Sequence, residues 1–288
     1  MFLVSGKELV IAQCRAGIVG TLPSMNARTS NELANWLDEI RSAVGTAPFG
    51  VSLIVTSSNK RLDADLQVCI DKNVPLIITS LSPPDGLANT IRAYGGQHLH
   101  DVTTMRHAEK ALEQGVSGLI LISAGAGGHG GLLNPFAFIA EVRQQFKGPL
   151  ALGGGIATGS GIAGAIASGA DFAYIGTRFI NASESLANQR YREMVLGATA
   201  TEFVNTPLFS GIGANYLAPS IIAAGFDLNT LPKGQRLDDD IPPTHVKAWK
   251  DILSAGHGVG ATLVQEKTIE IIEDLEQGYY SASARLFS

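Results

Sequence analysis

Short apolar runs separated by amphipathic stretches recur along residues 17–177, and this alternation constrains the fold more than any other feature. The runs are "GIVGTLP" (17–23), "GVSLIVT" (50–56), "VPLIITS" (74–80), "QHLHDVT" (97–103), "GLILIS" (118–123), "GPLALGGG" (148–155) and "DFAYIGT" (171–177). Most are apolar at nearly every position, the signature of strands covered on both faces. The stretches between them carry helix signals. A helix is predicted over about Lys7–Ala16. Thr29 with Glu32 forms a capping box ahead of Leu33, Leu37, Ile40 and Val44. Leu62, Leu66, Cys69 and Ile70 share one helical face, and Leu87–Tyr94 forms a short helix. Thr104 opens a helix with Met105, Ala108 and Leu112 inward, closed by Gly115. Asn134 as N-cap with Pro135 at the first helical position starts another, striped by Ile139, Val142 and Phe146. A further helix spans Gly159 to Ser168. Strands and helices at this spacing are parallel β/α units.

Seven runs fall one short of a closed (β/α)8 barrel. The expected architecture is an α/β, TIM-type (β/α)8 barrel over residues 1–182 whose first strand is truncated or missing, "MFLV" being its stump. An open doubly wound sheet is the competing architecture. After Asn181 no strand pattern recurs. Residues 183–288 are expected to be a mainly helical segment covering the barrel mouth, divided by the polar loop "LPKGQRLDDDIPP" (231–243). Thr244 is expected to cap a helix carrying Val246, Trp249 and Ile252 that ends at "SAGHGVG".

The 288 residues suffice for one large domain. A formal net charge of −5 without a long basic run gives little attraction to nucleic acid or an anionic membrane, and neither is expected as a partner. Two cysteines, Cys14 and Cys69, provide neither a disulfide framework nor metal-ligand spacing. The apolar start "MFLVSGKELV" is interrupted by Lys7 and is too short for a signal peptide, and the uncharged window Gly148–Ala170 is crowded with glycine, so no membrane span is expected. A cytoplasmic location follows as the expectation.

Two glycine-rich turns stand where such barrels bind phosphate. "GGGIATGSG" (153–161) follows a strand and opens a helix, and the next strand ends at Gly176 and Thr177. Tight βα turns without a ligand are the alternative. Gly159, Gly161 and Gly164 match G-x-G-x-x-G, yet the following strand "YIGTR" has no acid at its tip, which argues against a dinucleotide fingerprint. In "SAGAGGHGG" (123–131), Gly125, Gly127 and Gly128 remove side chains just before His129, so a flat ring fits against the backbone with an imidazole at its edge. Imidazole titrates nearest neutrality and suits proton transfer; a histidine bonding loop backbone is the bland alternative. His98 and His100 share a face and are read as packing residues, with a place in the mouth as the alternative. His107 and His245 are read as surface residues, and His257, between glycines, is placed to approach a ligand. Ser123 and Ser210 lack a nucleophile-elbow context.

"AGGHGG", "GGGIATG" and "IGTRF" together make the chain resemble the nitronate monooxygenase family, formerly the 2-nitropropane dioxygenases. The resemblance extends from Met1 to near residue 260. It implies a barrel holding FMN and no metal. The phosphate would rest on Gly154, Gly155, Gly176 and Thr177, with Ala126 and Gly127 beside the isoalloxazine and His129 as catalytic base. Met1 would correspond to the flavin-touching methionine of an "A-P-M" signature. Ser52 stands where many relatives have asparagine, Asp101 where some have lysine, and Gly256–His257 where relatives have "A-G-Q-G". Asn215 and Tyr216 would belong to a segment that closes over substrate. The implied reaction is FMN-dependent oxidation of alkyl nitronates or nitroalkanes with O2, giving a carbonyl compound and nitrite; a homodimer is compatible with it. The rivals are an NAD(P)H-dependent quinone or enoyl-thioester reductase on the same barrel, a phosphate-binding lyase or isomerase without flavin, and an inactive binding protein.

Overall fold

In a computed structural model of the chain, residues 1–232 and 246–286 are described. Each of the seven apolar runs forms a strand, with a helix before the first and between each pair. The order is α1 (Lys7–Arg15), β1 (Gly20–Pro23), α2 (Ser30–Val44), β2 (Phe49–Val55), α3 (Leu62–Asp71), β3 (Leu76–Leu81), α4 (Leu87–Ala93), β4 (Gln97–Val102), α5 (Met105–Glu113), β5 (Gly118–Ile122), α6 (Pro135–Gln145), β6 (Leu150–Gly153), α7 (Gly159–Ala167) and β7 (Phe172–Tyr174). The caps read from the sequence hold. The Thr29 hydroxyl accepts the Glu32 N–H at 3.1 Å, and the Asn134 side chain accepts the N–H groups of Phe136 and Ala137. The capping box is offset by one residue, since the Glu32 carboxylate takes the N–H of Arg28 rather than that of Thr29.

All seven strands are parallel and pair in chain order, β1 through β7. Strand alternation splits the apolar residues into two layers. Val51, Leu53, Ile77, Val102, Leu119 and Leu121 face outward and join the helices' buried stripes. Leu76, Ile78, Leu99, Ile120, Ile122, Ala151 and Tyr174 face inward and form the interior of a curled sheet. The curl is nearly complete, because it brings the Tyr174 side chain on β7 beside Thr21 on β1, across the two edge strands.

The C-terminal segment is less helical than the sequence pattern predicts. It contains α8 (Gln189–Gly197), an antiparallel hairpin of β8 (Phe203–Thr206) and β9 (Ala214–Leu217), then α9 (Ala218–Ala223) and α10 (Thr268–Leu286). The hairpin escapes a periodicity search because each strand has only 4 residues. The helix expected over Val246, Trp249 and Ile252 is also absent. Ala248 bridges Ile252, and Trp249 takes a left-handed φ of 70°, which no helix accommodates. Its expected cap Thr244, and His245, lie outside the described residues.

α10 does not cover the mouth. It packs between α7 and α1, with Ile271, Ile272 and Leu275 against Leu9 and Phe179. Gly159 and Gly278 let α7 and α10 touch backbone to backbone: a Cβ on Gly278 would lie 3.2 Å from the Gly159 Cα. Close helix packing therefore accounts for the first glycine of the G-x-G-x-x-G match.

Candidate active site

The tips of β5, β6 and β7 converge on the segment Ser254–His257, mostly through backbone. The Gly125 carbonyl accepts two N–H groups, from Gly155 at 3.2 Å and from His257 at 2.9 Å. The Gly256 N–H donates to the Thr177 hydroxyl at 2.8 Å. Gly127 lies so close that a Cβ there would stand 2.7 Å from the Ala255 carbonyl carbon. Gly155 has a φ of 69° and open space where a side chain would project. Met1 joins this group, its side chain 3.5 Å from the position a Gly176 Cβ would take. Met1, Gly127, Gly155, Gly176, Thr177, Gly256 and His257 thus lie together, with Gly154 next to Gly155 and Ala126 next to Gly127. Gly155 adds room rather than a donor, since its N–H is already used. Thr177 accepts through its oxygen and keeps its hydroxyl proton available. Arg178, 5% exposed, pairs with Glu266 at 2.6 Å and Asp274 at 3.5 Å and so fixes the β7 turn to the C-terminal segment.

His129 leaves this loop half-buried and contacts the hairpin instead. Its Nε2 lies 3.0 Å from the Ser210 hydroxyl, and its ring meets Trp249 edge-on at 5.1 Å. Ser210 donates its only proton to the Ile212 carbonyl at 2.9 Å. Ser210 is therefore the acceptor toward His129, which assigns the Nε2–H tautomer and leaves the Nδ1 lone pair free. Burial pushes the imidazole below its ordinary pKa, so the neutral form prevails at pH 7.

Asn215 ties the 126–128 loop to the β8–β9 hairpin. The Asn215 side chain donates to the Ala126 carbonyl at 2.7 Å and accepts from Asn205 at 2.9 Å, and its N–H donates to the Gly128 carbonyl at 2.9 Å. The Ser254 hydroxyl links the Gly128 N–H at 2.6 Å to the Asn215 carbonyl at 2.5 Å. Tyr216 is 0% exposed, packed on Phe209 and Trp249, the second of which also meets the His129 ring.

Ser52 projects from the inner face of β2 and pairs in register with Pro23 and Ile78. His98 and His100 point outward from β4, opposite to the mouth. Thr79 joins them, its hydroxyl 2.8 Å from His98 Nε2 and 2.7 Å from His100 Nδ1. Burial lowers both to about 4. His257 is exposed, its ring tilted on Phe203 at 5.4 Å. Sequence inspection passes over Trp249, Ser254 and the partnership of Ser210; each lies far along the chain from the residue it contacts, and none carries a local motif. Among the described residues no cluster of His, Cys, Asp or Glu is placed to hold a metal, and no helix is long and apolar enough to cross a membrane.

Comparison with known proteins decides the family. The family model described as nitronate monooxygenase matches residues 56–276. The chain belongs to the nitronate monooxygenase family. Within it, the chain is 28% identical over 214 residues to a nitronate monooxygenase of Paraburkholderia phytofirmans, covering 70% of this chain and 58% of the relative. It is 27% identical over 222 residues to a (3aS,4S,5R,7aS)-5-hydroxy-7a-methyl-1-oxo-octahydro-1H-indene-4-carboxyl-CoA dehydrogenase of Mycobacterium tuberculosis, covering 76% of this chain and 61% of that one. The chain thus spans about three fifths of these relatives' length. Among solved structures, FabK from Thermotoga maritima aligns with a TM-score of 0.81 at 22% identity over 99% of this chain and 92% of that one. A nitroalkane oxidase from Streptomyces ansochromogenes aligns equally well, with a TM-score of 0.81 at 22% identity over 98% of this chain and 94% of that one. These two likenesses establish the fold alone.

Proposed function

We propose that the chain is an FMN-dependent oxidoreductase that converts nitroalkanes or their nitronates, with O2, to a carbonyl compound and nitrite. The observation that carries this is His129, held as a neutral Nε2–H imidazole beside a glycine-built cradle. The cradle suits a flavin phosphate on two counts. Gly155 leaves open space where any other residue would project a Cβ, and the Thr177 hydroxyl retains a proton to donate. Gly154 and Gly176 would line the same anion site, and Ala126 and Gly127 would lie along the ring. The flavin, when bound, supplies electron acceptance and reaction with O2.

The chain's own residues supply orientation and proton transfer. The free Nδ1 of His129 takes the α-proton of a neutral nitroalkane, and the resulting imidazolium keeps its Nε2–H on Ser210. Trp249 walls one side of the ring and limits its rotation. Asn215 and Ser254 fix the 126–128 backbone that carries the histidine. Met1 packs at the Gly176 turn, where it would border the ring system.

The test is an absorption spectrum of the purified protein followed by aerobic turnover of nitroethane with nitrite detection. Flavin bands with stoichiometric nitrite support the proposal; a protein that binds FMN yet forms no nitrite refutes it. The relative named for a carboxyl-CoA dehydrogenase favours one second activity, a flavin reductase acting on a thioester. Rapid bleaching by NADH without oxygen would select it.

A further inference from the structure

The inner face of the sheet is apolar or neutral except at one point. The register aligns Ile54 with Ser80, and Asp101 with Ile120, across adjacent strands. Of the inward positions on β1–β7, Asp101 alone carries a carboxylate. It lies in the last turn of the sheet before the mouth and keeps some access to solvent. Its position is fixed by the Ser80 hydroxyl, which donates to Oδ2. Leu81, beside Ser80 at the end of β3, has a φ of 79°, a left-handed conformation unusual for leucine.

We propose that Asp101, held by the Ser80 hydroxyl at the barrel mouth, selects against anionic substrates, so that the chain accepts the neutral nitroalkane in preference to the nitronate anion. This rests on the nitroalkane activity proposed above and narrows its substrate class. Burial raises the carboxyl to about 6 against the opposing pull of Ser80, so the charge is present at neutral pH and lost in mild acid. The titratable group that faces it is Tyr174 on β7; Ser80 and Ile120 flank it on β3 and β5, and His98 and His100 lie on the opposite face of β4. A charge in so apolar a wall acts on an anion a few ångströms away with an effect of about tenfold or more in affinity.

The experiment is calorimetric titration of the purified flavin-loaded protein with nitrate, which stays anionic at all working pH values, in the wild type and in Asp101→Asn. The wild type is expected to lose about tenfold in nitrate affinity between pH 5 and pH 8, with a midpoint near 6. Asp101→Asn keeps the Ser80 hydrogen bond, removes the charge, and should bind nitrate about tenfold more tightly at pH 8. Ser80→Ala deletes a donor to the anion and should move the wild-type midpoint upward by about one pH unit. In turnover, Asp101→Asn should lower KM for ethyl nitronate and leave KM for nitroethane unchanged. Equal nitrate affinities in wild type and Asp101→Asn at pH 8, including no measurable binding to either, would overturn the inference, as would an unmoved midpoint in Ser80→Ala. Absence of nitroethane oxidation by the wild type would instead overturn the activity on which it rests.

Discussion

The two sides of the barrel mouth are made of different material. On the β5–β7 side the wall is backbone: Gly125, Gly127, Gly155 and Gly256 touch one another's main chains, and added Cβ atoms at Gly127 and Gly256 have no room. On the β1–β4 side the wall is side chain: Thr21, Ser52, Ser80 and Asp101 project inward, and Ser80 binds Asp101. A backbone wall lies close to a flat ligand and offers fixed dipoles. A side-chain wall can carry charge and be retuned by one substitution. The first is built to hold a group shared by many chemistries, and the second to choose among substrates.

His129 stands on the backbone side but depends on side chains, so its replacement is the sharpest probe of that division. His129→Asn should lower nitroalkane turnover by roughly 10²–10⁴-fold while nearly sparing nitronate, as steady-state nitrite release would record. In the wild type the rate should rise with pH through a midpoint below the ordinary histidine value, because burial disfavours the imidazolium. A comparable loss on both substrates would mean the histidine only holds the loop.

The backbone wall itself is tested by a pair of glycines. Gly127→Ala forces a Cβ to 2.7 Å from Ala255 and should cost about 1–3 kcal/mol, read as a lower urea midpoint and weaker flavin retention. Gly155→Ala meets open space, so only its left-handed φ of 69° opposes it, at about 1–2 kcal/mol of stability. If Gly155→Ala also abolishes flavin retention while the fold survives, the open space is the ligand's own.

His98 and His100 give the outer face of β4 a pH dependence of known sign. Both are pushed down to about 4, so the unfolded chain binds protons before the folded one does. Stability is full above about pH 6.5 and should fall by a few kcal/mol as pH drops toward 4, seen as a falling urea midpoint. Asp101, raised to about 6, opposes that loss over part of the same window. Asp101→Asn should therefore steepen the acid limb, which ties the two faces of one strand together in a single measurement.

The smallest effect is expected at Ser210. Ser210→Ala leaves His129 in place but frees its tautomer, and a loss of about tenfold in nitroalkane turnover is expected, consistent with one hydrogen bond. No change would mean that Trp249 alone orients the ring.

Much of this was legible in the chain itself. Strands such as "GLILIS" read clearly because burial on both faces leaves apolar residues at consecutive positions, and Thr29, Thr104 and Asn134 announce their helices because a cap is local chemistry. The glycine turns were legible for the same reason, since a residue without a side chain declares where backbone must come close. The β8–β9 hairpin was not, because four residues are too few to set a period, and neither was the turn at Trp249, whose φ is set by packing against Tyr216 and His129. The inward direction of Asp101 follows from alternation along β4, yet its pairing with Ser80 depends on strand register, which nothing near either residue encodes.

The sequence by itself determined the β/α repeat, the seven strands and the glycine-lined turns, because those depend on periodicity and local backbone freedom. The tertiary structure decided which nitrogen of His129 carries the proton, that Tyr216 is buried, and that one carboxylate faces the barrel interior. Each of these is a contact between residues distant in the chain, and such contacts exist only once the sheet has curled and brought them together.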